Sequence, residues 1–197
     1  SHELKTPVTS IKGFVETLQD GAMDDVANRE RFLAIIAKEA DRLHNIIEDL
    51  LSLSRIEQEA ERLEILMERG RVRDTIDAAV QACDAHAKEK SITVRIDCDA
   101  AIEMRMNAQL IEQALSNLID NAIKYSETGT SVTVSAERIH DFVSIRVMDL
   151  GPGIPAEHLG RIFERFYRVD KARSRKSGST GLGLAICKRL VLLMGGR

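Results

Sequence analysis

The sequence predicts an α+β protein in two parts, a helical hairpin followed by an α/β sandwich. Three observations carry this. Residues 4–18 set Leu4, Val8, Ile11, Val15 and Leu18 at steps of four and three, the seam of a coiled-coil-like helix. From about Arg62 the rhythm changes, and Ile92, Val94 and Ile96 alternate as a strand does. Strands and helices interleaved this way fit one sheet with helices on one face.

The elements follow in order. Asp20-Gly21 can stop the first helix, with Gly as a left-handed cap. A second helical run spans about Asn28 to Glu59, with Phe32, Ile36, Leu43, Ile46, Leu50 and Leu53 on one side. Two helices joined by a short polar loop make a helical hairpin. One hairpin cannot bury both seams, so two of them should pair as a dimeric four-helix bundle. A homodimer through residues 1–60 is therefore expected. Beyond it, Val72 to Ala87 reads as a helix, Leu110 to Lys124 as a strongly apolar helix, and Val132–Val134 and Val143–Val147 as strands parted by His140-Asp141. Residues 151–180 read as a long loop holding a short helix, and Leu182 to Met194 as a closing helix.

Composition narrows the function. The 197 residues carry 44% hydrophobic and 30% charged side chains, ordinary for a globular chain. With 4% aromatics and no Trp, the core must be aliphatic. A formal net charge of −3 argues against general nucleic-acid binding. Cys83, Cys98 and Cys187 are odd in number and lack metal-ligand spacing, which suits buried apolar roles in a reducing compartment. No apolar run approaches a membrane span. The first residue is Ser, so a piece of a longer polypeptide is expected.

Four segments could carry chemistry. Asn117 and Asn121 lie four apart on one helix face, with Lys124 three residues on. They offer either amide oxygens to Mg²⁺, a cation that keeps few protein ligands, or the polar face of an ordinary amphipathic helix. Asp149-Leu150-Gly151-Pro152-Gly153 follows a strand. It is either a turn or a carboxylate placed to accept from an exocyclic amino group such as adenine's, with glycines allowing close approach. Gly178-Ser179-Thr180-Gly181-Leu182-Gly183-Leu184 opens the last helix, where freed backbone amides make an anion site. Residues 161–176 hold seven Lys and Arg (Arg161, Arg165, Arg168, Lys171, Arg173, Arg175, Lys176) against Glu164 and Asp170. Such a basic flap suits a triphosphate. Phe163, Phe166 and Tyr167 are interleaved to anchor it.

At the start of the chain, Ser1-His2-Glu3-Leu4-Lys5-Thr6-Pro7 sets an imidazole beside a carboxylate, with a hydroxyl one turn on. His2 lies about 200° around the helix from Leu4. His2, Thr6, Thr9 and Gly13 thus form a stripe of small or reactive residues opposite the apolar one.

The order His2-Glu3-x-x-Thr6-Pro7, Asn117…Asn121-Ala122-x-Lys124-Tyr125, Asp149-x-Gly151-x-Gly153, Phe163-x-x-Phe166-Tyr167-Arg168 and Gly181-Leu182-Gly183-Leu184 resembles the sensor histidine kinases of two-component systems. The first thirteen residues look like the phosphate-regulon sensor group. The resemblance covers essentially the whole chain. It implies a dimerisation and histidine-phosphotransfer hairpin at 1–60 and, at 61–197, an ATP-binding catalytic domain of the histidine kinase, gyrase and chaperone type. Relatives carry more helix before the phosphoacceptor and further strands after Gly195-Gly196-Arg197, so both parts are expected to be truncated.

The resemblance makes His2 the phosphoacceptor, Glu3 the acidic neighbour that draws its proton, and Thr6 a residue that places water for dephosphorylating the regulator. Asn121 matches the Mg²⁺ ligand. Asn117, Lys124 and Tyr125 match phosphate, metal or nucleotide contacts, and Asp149 the reader of the adenine amino group. Gly151, Gly153, Thr180, Gly181, Leu182 and Gly183 match the pocket lining, and Arg165 and Arg168 the phosphate-directed arginine, with Arg168 preferred. Asn107 stands where many relatives have Asp, and Ser179 where many have Gly. The implied activity is autophosphorylation of His2 from ATP with Mg²⁺, transfer to the Asp of a response regulator receiver domain, and regulator phosphatase activity. The implied location is the cytoplasmic core of a membrane-bound parent, attached through upstream segments. Two other readings stand beside it. One is a non-catalytic dimeric nucleotide-binding or docking module. The other shares only the nucleotide fold of gyrase-type ATPases, and the hairpin argues against it.

Overall fold

The computed structural model describes residues 2–62, 65–170 and 179–197. Helix α1 (His2–Thr17) runs into a π-helical turn at Leu18–Ala22. Gly21 takes a φ of 115° there, a conformation open to glycine. The expected left-handed glycine is present: its backbone is not helical, and it breaks the helical path between the first helix and the next. Helix α2 (Val26–Arg62) begins two residues before the predicted Asn28. Its cap is Asp25, whose Oδ1 accepts from the amides of Ala27 (3.0 Å) and Asn28 (3.2 Å). Apolar spacing cannot register a polar cap, which is why the boundary moved.

Inside the hairpin Pro7, Leu18 and Ile46 are buried, and the rings of Phe14 and Phe32 stand 5.2 Å apart. Val8 and Val15, two of the five residues of the predicted seam, are 50% and 37% exposed. On α2, Val26, Leu33, Ala40 and Ile47 are exposed at an exact seven-residue period, and Leu51 continues the stripe.

Strand β1 (Glu68–Arg71) pairs antiparallel with β3 (Glu103–Met106) in a separate two-stranded sheet. Neither was visible to the apolar pattern, because Arg69, Arg71, Glu103 and Arg105 leave little alternation to read. Between them lie α3 (Val72–Ala82), α4 (Asp84–Glu89) and β2 (Thr93–Cys98). The predicted single helix is thus broken at Cys83, whose amide donates to Val80 at 3.1 Å in a tightened last turn. Helix α5 (Ala108–Tyr125) follows, then β4 (Ser131–Ile139) and β5 (Phe142–Met148).

The main sheet has the order β2-β4-β5, parallel then antiparallel, with Val132 opposite Val94 and Val147 opposite Val134. Along β4 alternate residues Val132, Val134 and Ala136 are buried, the signature of one covered face. They join Val72, Ile76 and Ala79 of α3 and Leu115, Ile119 and Ile123 of α5 in one core. Each buried Val, Leu or Ile side chain in it contributes about 1.5–3 kcal/mol.

A short α6 (Ala156–Leu159) lies in the predicted loop, and α7 (Gly183–Leu193) closes the chain. A second apolar cluster joins the two parts of the molecule. It combines Leu53 and Ile56 of α2 with Ala114 of α5 and with Leu182, Ile186, Cys187 and Leu190 at α7. Among the described residues no helix is long and apolar enough to cross a membrane.

Candidate functional site at the hairpin and sheet junction

Helix α5 builds the floor of the site. Its buried face is Ile111, Ala114, Leu115, Ile119, Ala122 and Ile123, so the helical period turns Asn117, Asn121 and Lys124 the other way. Both ends of α5 are pinned. At the start, the Asn107 side chain accepts from the Leu110 amide (3.1 Å) while its Nδ2 donates to the Leu66 carbonyl (3.2 Å). The amide does two things that a carboxylate could not do together. At the finish, Lys90 Nζ donates to the carbonyls of Ile123, Lys124 and Ser126 at 2.8, 2.9 and 2.8 Å. A cation there also complements the negative end of the helix.

Over this floor lies a cleft of about 680 Å³, within the roughly 300–1,000 Å³ of small-molecule sites. It brings together Asn117, Asn121, Lys124, Tyr125, Asp149, Gly153, Arg168, Thr180, Gly181 and Gly183 from the sequence-predicted set. Asn117 Nδ2 is buried there and has no hydrogen-bond partner among the described residues, a donor suited to a polar ligand. Asp149 Oδ1 accepts from the Gly151 amide at 2.8 Å. Gly151 is not itself on the cleft wall. A Cβ there would lie 2.7 Å from Asp149 Oδ1 and 3.0 Å from the Tyr125 carbonyl, so this glycine lets the strand end approach α5.

The Phe-Tyr-Arg and Thr-Gly-Leu-Gly segments meet back to back. The Phe166 amide donates to the Gly181 carbonyl at 2.8 Å. Phe166 has a φ of 65° and Gly181 a φ of 78°, and a Cβ on Gly181 would lie 2.9 Å from the Phe166 backbone. Tyr167 is braced by His158 Nδ1 at 2.7 Å and by the Arg161 guanidinium 4.4 Å above its ring. The Arg168 guanidinium donates to the Thr180 carbonyl at 3.0 Å and stands 3.5 Å from Glu3 Oε2. Arg165 points elsewhere, pairing with Glu57 of α2 at 2.5 Å. Leu182 is fully buried in the second cluster and does not line the cleft.

The opposite wall comes from the hairpin, with Asn45, Glu48 and Asp49 of α2. Thr180 Oγ1 donates to Asp49 Oδ2 at 2.5 Å. Burial raises the Asp49 carboxyl above its ordinary value, opposed by the Thr180 hydroxyl and Lys124 and helped by Asp120. His86 of α4 also faces the cleft, its Nδ1 2.9 Å from Asp120, which pairs with Lys124 at 2.6 Å. Asp49 and His86 had no motif to mark them, since both act through partners distant in sequence. Glu3 is half-buried at the junction. The His2 side chain, Lys171, Arg173, Arg175, Lys176 and Gly178 lie outside the described residues.

Residues 1–59 match the His Kinase A (phospho-acceptor) domain. Residues 106–197 match the histidine kinase-, DNA gyrase B- and HSP90-like ATPase family. The chain is 37% identical over 199 residues to the sensor protein kinase WalK of Staphylococcus saprophyticus, covering 100% of this chain and 32% of that protein. Acinetobacter baumannii histidine kinase AdeS superposes with a TM-score of 0.72 at 27% identity, covering 98% of this chain and 87% of that one. Full-length ShkA in complex with AMPPNP superposes at 0.68 with 26% identity, covering 98% of this chain and 40% of that one. The chain belongs to the sensor histidine kinases, and it spans about a third of the length of the WalK relatives it matches.

Proposed function

We propose that this chain is the phosphorelay core of a sensor kinase, with the hairpin of residues 1–60 carrying the phosphoacceptor and residues 61–197 binding ATP. The observation that carries the reading is the cleft itself: nucleotide-sized, walled on one side by α5 and the glycine segments, and on the other by the helix that pairs with the one bearing His2.

The residues fit a nucleotide. Asp149, at the end of β5, keeps an oxygen for an adenine amino group while Gly151 holds its other side. The unpartnered Asn117 amide donates to phosphate, and the Gly181 and Gly183 backbone admits close approach. Among the described residues no group of three His, Cys, Asp or Glu could hold a metal. Mg²⁺ would therefore rest on Asn121 and the substrate phosphates, as that ion commonly does, and would supply neutralisation of their charge.

In the reaction, one imidazole nitrogen of His2 forms a bond to the γ-phosphorus while the bond from that phosphorus to the bridging oxygen breaks. ADP leaves with the electron pair. Glu3 takes the proton from the other ring nitrogen. Arg168, which lines the cleft, would neutralise the transferring group. Pro7 cannot donate to the Glu3 carbonyl, one turn back, which loosens the helix beside the phosphoacceptor. From phosphorylated His2 the phosphoryl group passes to the Asp of a receiver domain, and Thr6 places the water that later hydrolyses that aspartyl phosphate, releasing inorganic phosphate and the free carboxylate. The exposed heptad stripe on α1 and α2 is covered by a second copy. The parent protein is membrane-attached through segments upstream, with this core in the cytoplasm.

The test is labelling of the chain from γ-labelled ATP with Mg²⁺. An acid-labile, base-stable label is expected, and His2→Gln should abolish it with ATP affinity unchanged. Label that survives in His2→Gln refutes the phosphoacceptor assignment.

A further inference from the structure

The hairpin buries a charge beside the turn that carries Glu3. The Arg42 side chain, on α2, is only 4% exposed. Its Nη2 lies 3.6 Å from Glu3 Oε2 and its Nη1 3.5 Å from Glu39 Oε2. Both distances fall in ion-pair range but outside hydrogen-bond range. Arg42 Nε and Nη1 and Glu39 Oε2 are all buried without a hydrogen-bond partner among the described residues. Such a group is weak support for stability, because an apolar side chain of similar volume is often neutral or better there. Burial of this pair is thus weak evidence for a stabilising role, and its neighbours point to another.

Glu39, Arg42, Glu3 and Arg168 form a chain of alternating charge. Its last member, Arg168, belongs to the nucleotide wall and also holds the Thr180 carbonyl. Glu3 therefore has two cationic neighbours of different standing. Arg168 is tied to a segment that must answer to the triphosphate. Arg42 belongs to the same hairpin as Glu3 and stays with it.

We propose that Arg42 is a positioning residue for phosphoryl transfer, fixing the Glu3 carboxylate beside the phosphoacceptor so that its place does not depend on where Arg168 is engaged. This rests on the kinase reading above and assigns Arg42 a part in it.

The experiment compares wild type, Arg42→Met, Arg42→Lys, Glu3→Gln and the Arg42→Met/Glu3→Gln double variant of the full chain, with γ-labelled ATP and Mg²⁺. Arg42→Met should lower the labelling kcat by roughly tenfold or more, as misplacement of a reacting group does. Its KM for ATP should stay within about twofold, since no ground-state contact to nucleotide is lost. Arg42→Lys should recover part of the rate. The double variant should be no slower than Glu3→Gln alone, because both act through one carboxylate. A wild-type rate in Arg42→Met, or its full loss added on top of Glu3→Gln, overturns the proposal.

A second measurement works without catalysis. Melting temperatures of Glu3→Gln, Arg42→Gln and their double variant should be non-additive, and additive losses overturn the proposal even if Arg42→Met fails to fold. A wild-type chain that takes no label refutes the kinase reading instead. The melting cycle then still decides whether Arg42 holds Glu3.

Discussion

At the scale of single residues, the two sides of the cleft differ in what they demand. Asp49 reaches across from the hairpin and is partly buried against Thr180. Because burial raises its folded-state pKa, the folded chain binds the proton more tightly than the unfolded one. Stability contributed by Asp49 is then complete below the ordinary carboxylate value and is lost as pH rises through the raised one. Asp49→Asn should melt with wild type in acid and above it at neutral pH. A gap that is constant across the titration would show that desolvation of this carboxylate is not the cause. Gly181 makes a different demand, since its φ of 78° and the nearby Phe166 backbone leave no room for a Cβ. Gly181→Ala should cost at least about 1–2 kcal/mol in denaturant melts and should weaken ATP binding in calorimetry. Asn117, Asn121 and Asp149 were legible because spacing alone puts them on one face or at a strand end. Arg42, Asp49 and His86 were not, because each acquires its role from a partner that only the fold brings near.

At the scale of elements, α5 shows how a helix is made into a platform. Lys90 gathers three carbonyls of its last turn, next to Lys124 and Tyr125. Lys90→Met should destabilise the protein by about 1–3 kcal/mol, the range for buried groups left unsatisfied. Amide hydrogen exchange at residues 122–126 should rise more than elsewhere in α5, and uniform loss of protection would argue against a local cap. The sequence marked α5 well, since its apolar face repeats cleanly. It did not mark β1 or β3, whose charged residues carry no alternation, nor the break at Cys83, where the apolar pattern continues through a change of backbone. Asp25 shows the same blind spot from the other side, a polar residue that sets a boundary the apolar rhythm cannot see.

At the scale of the whole molecule, two surfaces of α2 are put to different uses. The exposed stripe of Val26, Leu33, Ala40, Ile47 and Leu51 fits a second copy. Ile47→Glu would bury a charge in that seam at a cost of several kcal/mol. It should weaken dimerisation by roughly a hundredfold or more, read by analytical ultracentrifugation. An unchanged association constant would place the dimer seam elsewhere. The two-part organisation was legible from the change of rhythm near residue 62. The seating of one part on the other was not, because Leu53 and Ile56 look like any helical core residues until Leu182, Ile186 and Leu190 are found against them. That contact gives α2 the character of a torsion rod. Leu53 is flanked by Ser52, whose hydroxyl accepts from Gln113 at 2.6 Å, and by Ser54, which is exposed. Successive residues on a helix are about 100° apart, so twisting α2 by half that angle would slide a hydroxyl toward the apolar seat now filled by Leu53. Rotation of α2 would thus exchange an apolar contact for a polar one at this seat, with a serine on either side of one leucine to register it.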